Sequence, residues 1–304
     1  MSNWKRTSTR RFIGYSMVMS ASILFGFNGN LSRLLFNDGI SPITLVEFRM
    51  LIGGACLLIV LVGWRRHELK LPRRSIVWVI AFGLSLALVT YTYFIAISRL
   101  PIAIALVIQF SASAWMAPGE AIWRRRIPSM YVMSAIVVTL GGILLLTGIW
   151  HESLNGLDSI GLLFALLSVV TYIAYLLLGS RVGRDLPPLT STAYGAVVAG
   201  MFWLIVQPPW TIPASTFAGY HFLLIVVVGT VGMAIPFSLV LGSLRRLDAT
   251  RVGIASMLEL VAAGIIAYFW LAQLLDIWQI LGGCLVITGI TLLQLEKPKV
   301  QMVD

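Results

Sequence analysis

The stretch from Ile76 to Ile97 reads I-V-W-V-I-A-F-G-L-S-L-A-L-V-T-Y-T-Y-F-I-A-I and contains no charged residue. As an α-helix rising about 1.5 Å per residue, a run of this length crosses the roughly 30 Å hydrocarbon core of a bilayer. Lipid offers no partner for backbone N–H and C=O groups, and the run lacks the strict alternation of a membrane β-strand. It therefore predicts a membrane-spanning helix.

Further runs of the same kind fill most of the chain, separated by short segments rich in Pro, Gly and charge. Together with the first there are ten such runs, at residues 12–36, 44–63, 76–97, 102–123, 130–149, 158–179, 190–207, 220–243, 250–272 and 277–295. Over the whole sequence 11% of residues are charged, against about 25% in an ordinary soluble domain. We predict an all-α membrane protein with ten transmembrane helices and no room for a separate soluble domain.

The formal net charge is +10, which by itself could indicate a nucleic-acid partner. The basic residues, however, lie in the segments between apolar runs. If the N-terminus is cytosolic, every Lys and Arg residue lies in a cytosolic segment except Arg33, Arg49 and Arg99. An excess of Lys and Arg is typical of the cytosolic segments of membrane proteins. We predict a multi-pass protein of the cell membrane, with both termini in the cytosol and no nucleic-acid partner.

The sequence also contains an internal repeat. Sliding it along itself by 147 residues superposes Gly14 on Gly161 and Gly53 on Gly200, and the lengths of the apolar runs coincide. Since five helices per repeat is an odd number, the second repeat enters the membrane from the opposite side, which suits alternating access. The predicted organisation is a basic cytosolic tail (1–11), a first five-helix repeat (12–149), an outer linker (150–157), a second five-helix repeat (158–295) and a cytosolic tail (296–304).

Charged residues inside apolar runs are costly, so each needs a partner, a water-filled cavity or a function. Glu259 lies about nine residues from the nearer end of its run, too deep to reach water. Desolvation at that depth favours a neutral carboxyl, which suits a proton carrier, a partner for an ammonium group, or a structural bond to another helix. Glu47 and Arg49 point in different directions, and each suits either contact with a substrate or packing near the headgroups.

The repeat offset also selects uncharged candidates. It maps Asn28 onto Tyr175 and Gln109 onto Ser256, which places both pairs near the predicted symmetry axis. Hydroxyl and aromatic side chains in spans often only pack, so packing is the alternative for each of them. The residues predicted to line a substrate cavity are Glu259, Ser256, Asn28, Gln109, Tyr91, Tyr93, Trp115, Tyr172, Tyr175 and Arg49.

No motif indicates catalysis, a cofactor or a metal. The cysteines, Cys56 and Cys284, lie within apolar runs without metal-ligand spacing, and the three histidines lie in loops or at the edges of runs. No phosphate-binding loop or metal-dependent hydrolase motif is present. We therefore expect no enzymatic activity, no cofactor and no metal, and we expect a small-molecule substrate and the lipid bilayer as partners.

Two stretches resemble a known family. Ile235–Ala263, I-P-F-S-L-V-L-G-S-L-R-R-L-D-A-T-R-V-G-I-A-S-M-L-E-L-V-A-A, is similar to the pattern P-F-x-x-x-x-x-L-x-x-L-x-A-T-x-A-x-x-x-x-x-L-E-P-V-x-A-A of the drug/metabolite transporter superfamily, in its EamA-type branch. Ser41–Arg49, S-P-I-T-L-V-E-F-R, resembles the second helix of that family. The resemblance covers residues 12–295. Glu259 and Arg49 occupy positions that match the Glu and the Arg of the family patterns. Leu260 replaces the usual Pro, so no proline kink is expected in the ninth helix.

The resemblance implies a secondary transporter of small metabolites with a cavity between its repeats. We expect an exporter of amino acids or related metabolites that works by alternating access, with proton coupling through Glu259. A transporter of sugars, nucleotides or cationic drugs is the alternative within this class. A non-transporting membrane scaffold would need no polar residues along a central axis, and a membrane-embedded enzyme would need clustered acids or a metal site at one interface.

Overall fold

The structure is a computed structural model that describes residues 2–100, 102–124, 128–148, 157–271 and 276–295. Within these ranges the chain is helical and contains no strand. The α-helices are α1 (Ser2–Asn37), α2 (Pro42–Trp64), α3 (Ile76–Arg99), α4 (Ile102–Phe110), α5 (Ala112–Arg124), α6 (Met130–Thr147), α7 (Ser159–Asp185), α8 (Pro188–Val206), α9 (Tyr220–Gly229), α10 (Ile235–Leu244), α11 (Ala249–Ser256), α12 (Leu258–Leu271) and α13 (Ile277–Leu295). Most of the predicted N-terminal tail is helical, as part of α1. The predicted outer linker and C-terminal tail lie outside the described residues, apart from residue 157.

Side-chain caps position several helix ends. The hydroxyl of Ser41 accepts a hydrogen bond from the backbone N–H of Thr44 at the start of α2. Asp158 caps α7 in the same way, accepting from the N–H of Gly161 at 2.7 Å. At the other end of a helix, α6 stops at Gly148, whose φ of 60° lies in the left-handed region that favours glycine. These caps satisfy backbone groups that a helix end leaves without partners.

Nine helical stretches among the described residues are long and apolar enough to cross a membrane. The predicted all-helical fold is confirmed for the described residues, and these stretches are candidate membrane spans. The predicted fourth run differs from the others, because it contributes only the shorter apolar stretch Ile104–Gly119. The count of ten transmembrane helices therefore stays a prediction.

Two of the predicted runs are interrupted near their middle, at matching places in the two repeats. The fourth breaks at Ser111 and the ninth at Met257. At the first break the N–H of Ser111 is shared between the carbonyls of Val107 and Ile108, both at 3.2 Å. At the second the N–H of Met257 bonds the carbonyl of Ile254, three residues back, at 3.1 Å. The ninth run is therefore interrupted at Met257 although Leu260 stands where the family has Pro. The tighter backbone bonds interrupt the helix without a proline.

The two repeats run in opposite directions. Arg10 and Arg11, near the start of α1, line the same cavity as Arg184, near the end of α7. Asp185, the last residue of α7, lies 3.9 Å from Arg74 beside the start of α3. The start of α1 thus lies beside the end of its counterpart α7, so these two helices are antiparallel. We call this side of the bundle the basic end.

Corresponding residues make corresponding contacts at the two ends. At the basic end Gly14 packs against Leu247, and at the opposite end Gly161 packs against Leu100. A Cβ atom added to either glycine would lie 2.8 Å from the Cγ of its leucine. Because both members of one contact are 147 positions from their counterparts in the other, the sequence offset is also a two-fold relationship in space. Other residues at the opposite end are Asp38, Arg99, Asp158 and His221.

Candidate functional site

A cavity of about 110 Å³ lies in the middle of the bundle, between the two repeats. Its wall is mostly aromatic and aliphatic, and the charged residues in that wall are Arg49 and Glu259. The lining residues are Phe25, Asn28, Gly29, Arg49, Val89, Thr90, Tyr93, Phe94, Gln109, Phe110, Tyr172, Tyr175, Phe237, Val240, Ser256 and Glu259. Such a concave, largely apolar pocket with a few polar groups is typical of small-molecule sites.

The pseudo-two-fold axis passes through this cavity. Five pairs of lining residues are related by the 147-residue offset, namely Phe25 with Tyr172, Asn28 with Tyr175, Thr90 with Phe237, Tyr93 with Val240, and Gln109 with Ser256. The two charged residues depart from this symmetry. The offset relates Arg49 to Ala196 and Glu259 to Ala112. Each charged residue is therefore present in one repeat and replaced by alanine in the other.

Arg49 of α2 is fixed by contacts on several sides. Its side chain is buried, and its guanidinium carbon lies 5.7 Å from the ring centroid of Phe94 and 5.7 Å from that of Phe237. Aromatic faces attract a cation in this geometry. Its Nη2 also donates to the carbonyl of Gly232 at 3.1 Å.

Gly232 lies in a π-helical segment, Thr230–Ala234, which joins α9 to α10. The wider turn of a π-helix displaces backbone carbonyls from their regular partners, and such segments occur frequently at functional sites. Here the carbonyl of Gly232 faces Arg49 and accepts its hydrogen bond. The irregular backbone therefore completes the binding of the buried guanidinium.

Glu259 lies in the first turn of α12, directly after the interruption at Met257. The positive end of a helix dipole favours a carboxylate at such a position. Glu259 faces the same cavity as Arg49, close enough for the two opposite charges to attract each other. The helix break thus places an acid opposite the arginine, and Ser256 and Tyr172 line the same cavity.

Several buried polar atoms of the cavity wall have no hydrogen-bond partner among the described residues. They are Oδ1 of Asn28, Nε of Arg49 and the hydroxyl of Tyr175. Buried polar groups in folded proteins are nearly always paired, so atoms of this kind indicate a place for water or a ligand. The set contains both donors and an acceptor, and it can therefore bind a molecule with groups of both kinds.

The sequence matches the model of the EamA-like transporter family twice, over residues 12–148 and 159–295. The chain belongs to the EamA-like transporter family. The predicted resemblance to the drug/metabolite transporters is thereby confirmed, and the two matched segments are the two antiparallel repeats described above.

Named relatives of this EamA-family protein include the threonine/homoserine exporter RhtA of Escherichia coli (strain K12), which is 25% identical over 299 residues, 95% of this chain and 94% of the relative. RhtA of Salmonella typhimurium (strain LT2) is 25% identical over 84% of both chains. An uncharacterized transporter of Archaeoglobus fulgidus is 20% identical over 90% of this chain and 93% of its own. A solved crystal structure superposes with a TM-score of 0.78 at 18% identity, covering 94% of this chain and 96% of the other, and supports the fold.

Eight of the ten residues predicted for a substrate site of this EamA-family protein line the cavity. The structure places the other two elsewhere. Tyr91 packs between Trp203, at 5.0 Å between ring centroids, and Phe164, at 5.7 Å. Trp115 is 69% exposed on the outside of the bundle, as expected for a side chain that faces lipid.

Several lining residues were absent from the prediction. Phe25 and Val240 could have been found by applying the 147-residue offset to Tyr172 and Tyr93, which were predicted. Phe237 lies within the I-P-F-S family motif, although that motif did not indicate its contact with Arg49. The role of the Gly232 carbonyl also had a signal in the sequence, because Pro236, four residues later, has no N–H to make the α-helical bond to it.

Proposed function

We propose that this protein is a secondary transporter that exports amino acids or closely related zwitterionic metabolites by alternating access between its two repeats. The observation that carries the proposal is the pair of opposite charges, Arg49 and Glu259, facing one cavity with a largely apolar wall. A zwitterion offers a carboxylate to the first and an ammonium group to the second. Neither charge would then remain uncompensated in a low-dielectric site.

The donor geometry of Arg49 supports the carboxylate assignment. One Nη donates to Gly232, while Nε has no partner among the described residues. A guanidinium presents its N–H groups as a planar fork that matches a carboxylate. The remaining donors are therefore available to a substrate, and the aromatic rings on both sides keep the fork in place.

Proton coupling follows from the position of Glu259. A single carboxylate cannot bind a substrate ammonium group and a proton together. If the substrate leaves when Glu259 is protonated, inward movement of the proton and outward movement of the substrate alternate at the same residue. In this mechanism a proton gradient drives export without a second ion site.

We further propose that the basic end faces the cytosol of the cell, with both termini on that side. The excess of arginine at that end supports this orientation, because cytosolic loops are enriched in Lys and Arg. The interrupted α4 and α5 together would form the remaining transmembrane segment, which gives ten. The half-helices that meet at Ser111 and Met257 resemble the discontinuous helices that form binding sites at the repeat interfaces of many transporters.

The printed names of the RhtA relatives, threonine/homoserine exporters, support an amino-acid substrate. A cationic drug is the weaker candidate, because Arg49 already occupies the faces of Phe94 and Phe237 that would attract it. A sugar or nucleotide gives Glu259 no positive partner. The alternatives thus differ in which cavity charge they would leave uncompensated.

The direct test is flux through the purified protein in liposomes. Vesicles are loaded with labelled neutral amino acids, including threonine and homoserine, and with two analogues of each, the amine without the carboxylate and the hydroxy acid without the ammonium group. We expect the zwitterion to be transported at least about 100-fold faster than either analogue, because each analogue leaves one buried charge unpaired. Equal flux of zwitterion and amine would contradict the assignment of Arg49, and no flux of any solute would support the scaffold alternative.

A further inference from the structure

A second cavity, of about 550 Å³, lies at the basic end and is separate from the central one. Its wall is formed by the third turn of α1, the last turns of α7, and the end of α10 with the residues that follow. Five arginines line it, namely Arg10, Arg11, Arg184, Arg245 and Arg246. Asp248 is the acidic residue of this wall, and it contacts Arg251 at 3.6 Å.

Comparison with the opposite end shows why this concentration of charge is unusual. There, Arg99 contacts Asp158 at 3.2 Å, so the cation and anion compensate each other. The 147-residue offset maps Arg99 onto Arg246 and Asp158 onto Arg11. At the basic end an arginine therefore occupies the position that holds the carboxylate in the other repeat.

The packing around the two positions supports this equivalence. Gly161, which donates its N–H to Asp158, packs against Leu100 beside Arg99. Gly14 packs in the same way against Leu247 beside Arg246. The glycine–leucine packing thus matches at the two ends, whereas Asp158 precedes the first turn of α7 and Arg11 lies within α1 and carries the opposite charge.

Capping of α10 uses only part of the donor capacity of these arginines. Arg10 donates to the carbonyl of Arg245 at 2.7 Å, and Arg246 donates to the carbonyl of Gly242 at 2.6 Å. Each guanidinium has five N–H donors, so one such bond leaves most of them for other partners. The side chains of Arg10, Arg184 and Arg245 are exposed, and those of Arg11 and Arg246 are half-buried.

We propose that this cavity binds a phosphate group, either as the headgroup of an anionic membrane lipid or as a free phosphate. Clustered guanidinium groups match phosphate oxygens in geometry as well as charge. Basic pockets between transmembrane helices at one face of a membrane bind anionic lipid headgroups in the same way. A phosphate here supplies the anion that Asp158 supplies at the other end, and it links α1, α7 and α10. The site is independent of the central cavity and of the substrate proposed for it.

The test measures thermal unfolding of the delipidated full-length protein in a zwitterionic detergent, by intrinsic tryptophan fluorescence. The probes are phosphatidylglycerol, phosphatidylcholine and inorganic phosphate, with sodium chloride at matched ionic strength. We expect an anionic probe to raise the Tm by about 3 °C or more above its neutral or chloride control. A shift with phosphatidylglycerol alone assigns the site to a lipid headgroup, and an equal shift with inorganic phosphate assigns it to free phosphate.

Two double variants, each of which removes two positive charges, distinguish binding in this cavity from general attraction of anions to a basic surface. Arg11→Gln with Arg246→Gln should abolish the shift, whereas Arg66→Gln with Arg73→Gln removes two exposed charges of the same end and should retain it. If the first variant is not monodisperse, Arg184→Gln, which changes an exposed side chain, takes its place. The absence of a shift in the unmodified protein, or its equal loss in both variants, would overturn the proposal.

A charge reversal gives an independent measurement. Arg11→Asp places a carboxylate at the position that the offset relates to Asp158, in the same cavity as Arg246. We expect it to raise the Tm without any anionic probe and to remove most of the response to one. A lower Tm in the absence of probe together with an unchanged response would contradict the symmetry argument.

Discussion

Arg49 of α2 donates a hydrogen bond to the backbone carbonyl of Gly232 at 3.1 Å, across the interface between the two repeats. The first repeat supplies the charge and the second supplies the carbonyl, which is available because the helix there is π-helical. Any movement that separates the repeats at this point must break the bond or carry the π-helical segment with Arg49. The contact therefore links the candidate site to the relative position of the repeats.

Replacing Arg49 by lysine tests the importance of the planar fork. Lysine keeps the charge but cannot bond Gly232 and a carboxylate with parallel N–H groups, so we expect the apparent KM for a zwitterionic substrate to rise about 10- to 100-fold. The measurement is concentration-dependent flux in liposomes. Arg65→Lys, which changes an arginine paired with Glu68 outside the cavity, is the matched control and should leave KM unchanged. An unaltered KM in Arg49→Lys would show that Arg49 does not bind the substrate.

Glu259 should be the residue through which a pH gradient acts. Glu259→Gln removes the proton that the carboxyl exchanges and the charge that would bind an ammonium group, while preserving the size of the side chain. We expect flux driven by a pH gradient to fall to the level of empty liposomes. Glu68→Gln, which makes the same change at the basic end, should retain it. Gradient-driven flux that survives Glu259→Gln would exclude proton coupling through this residue.

The membrane fold was predictable because lipid forces backbone groups to pair within a helix, which leaves long apolar runs such as Ile76–Ile97 as a direct signal. The repeat offset also brought Asn28 and Tyr175 together correctly around one cavity. The hydropathy of an apolar run does not show which side of the helix faces the cavity and which faces lipid. Trp115 and Tyr91 were for that reason predicted to face a cavity from which the structure turns them away.

The two helix interruptions and the π-helical segment were not predictable from the same signals. They depend on local changes in backbone hydrogen bonding, as at Met257, whose N–H bonds the carbonyl of Ile254 three residues back. The energy difference between such alternatives is small and depends on the tertiary packing around them. Glu259 was selected by its depth in an assumed continuous helix, whereas its actual environment is the start of a new one.

Gly232 tolerates no side chain in the present packing. A Cβ atom added there would overlap the side-chain oxygen of Asn28, which lies in the opposite repeat. We expect Gly232→Ala to destabilise the protein by about 1–3 kcal/mol, the usual cost of overpacking. Thermal unfolding measures this loss. Combining Gly232→Ala with Asn28→Ala removes the overlapping atoms, so the double variant should recover part of the lost Tm, whereas strictly additive losses would contradict the contact.

The charge of Asp158 should stabilise the opposite end of the bundle at neutral pH. Its hydrogen bond from the Gly161 N–H, together with Arg99 nearby, holds the pKa of this carboxyl below its ordinary value. A lowered pKa contributes stability above the unfolded value of about 4, and this contribution is lost as the pH falls through the folded value. Asp158→Asn keeps a capping oxygen but removes the charge. We expect its Tm to be slightly below that of the unmodified protein at pH 7, and the difference to shrink as the pH falls below about 4. A difference independent of pH would contradict this assignment.

The contact between α6 and α13 should depend on the absence of a side chain at Gly282. A Cβ atom there would lie 2.6 Å from the carbonyl oxygen of Gly142, and backbone of the neighbouring helix cannot move aside as a flexible side chain can. We expect Gly282→Ala to lower the free energy of unfolding by about 2 kcal/mol or more through separation of the two helices. Gly63→Ala is the matched control, because no atom lies within 4 Å of the added Cβ. Since alanine has a higher helix propensity than glycine, this variant should leave the stability unchanged or slightly raised. Equal Tm values for the two variants would show that close backbone approach does not hold this helix pair together.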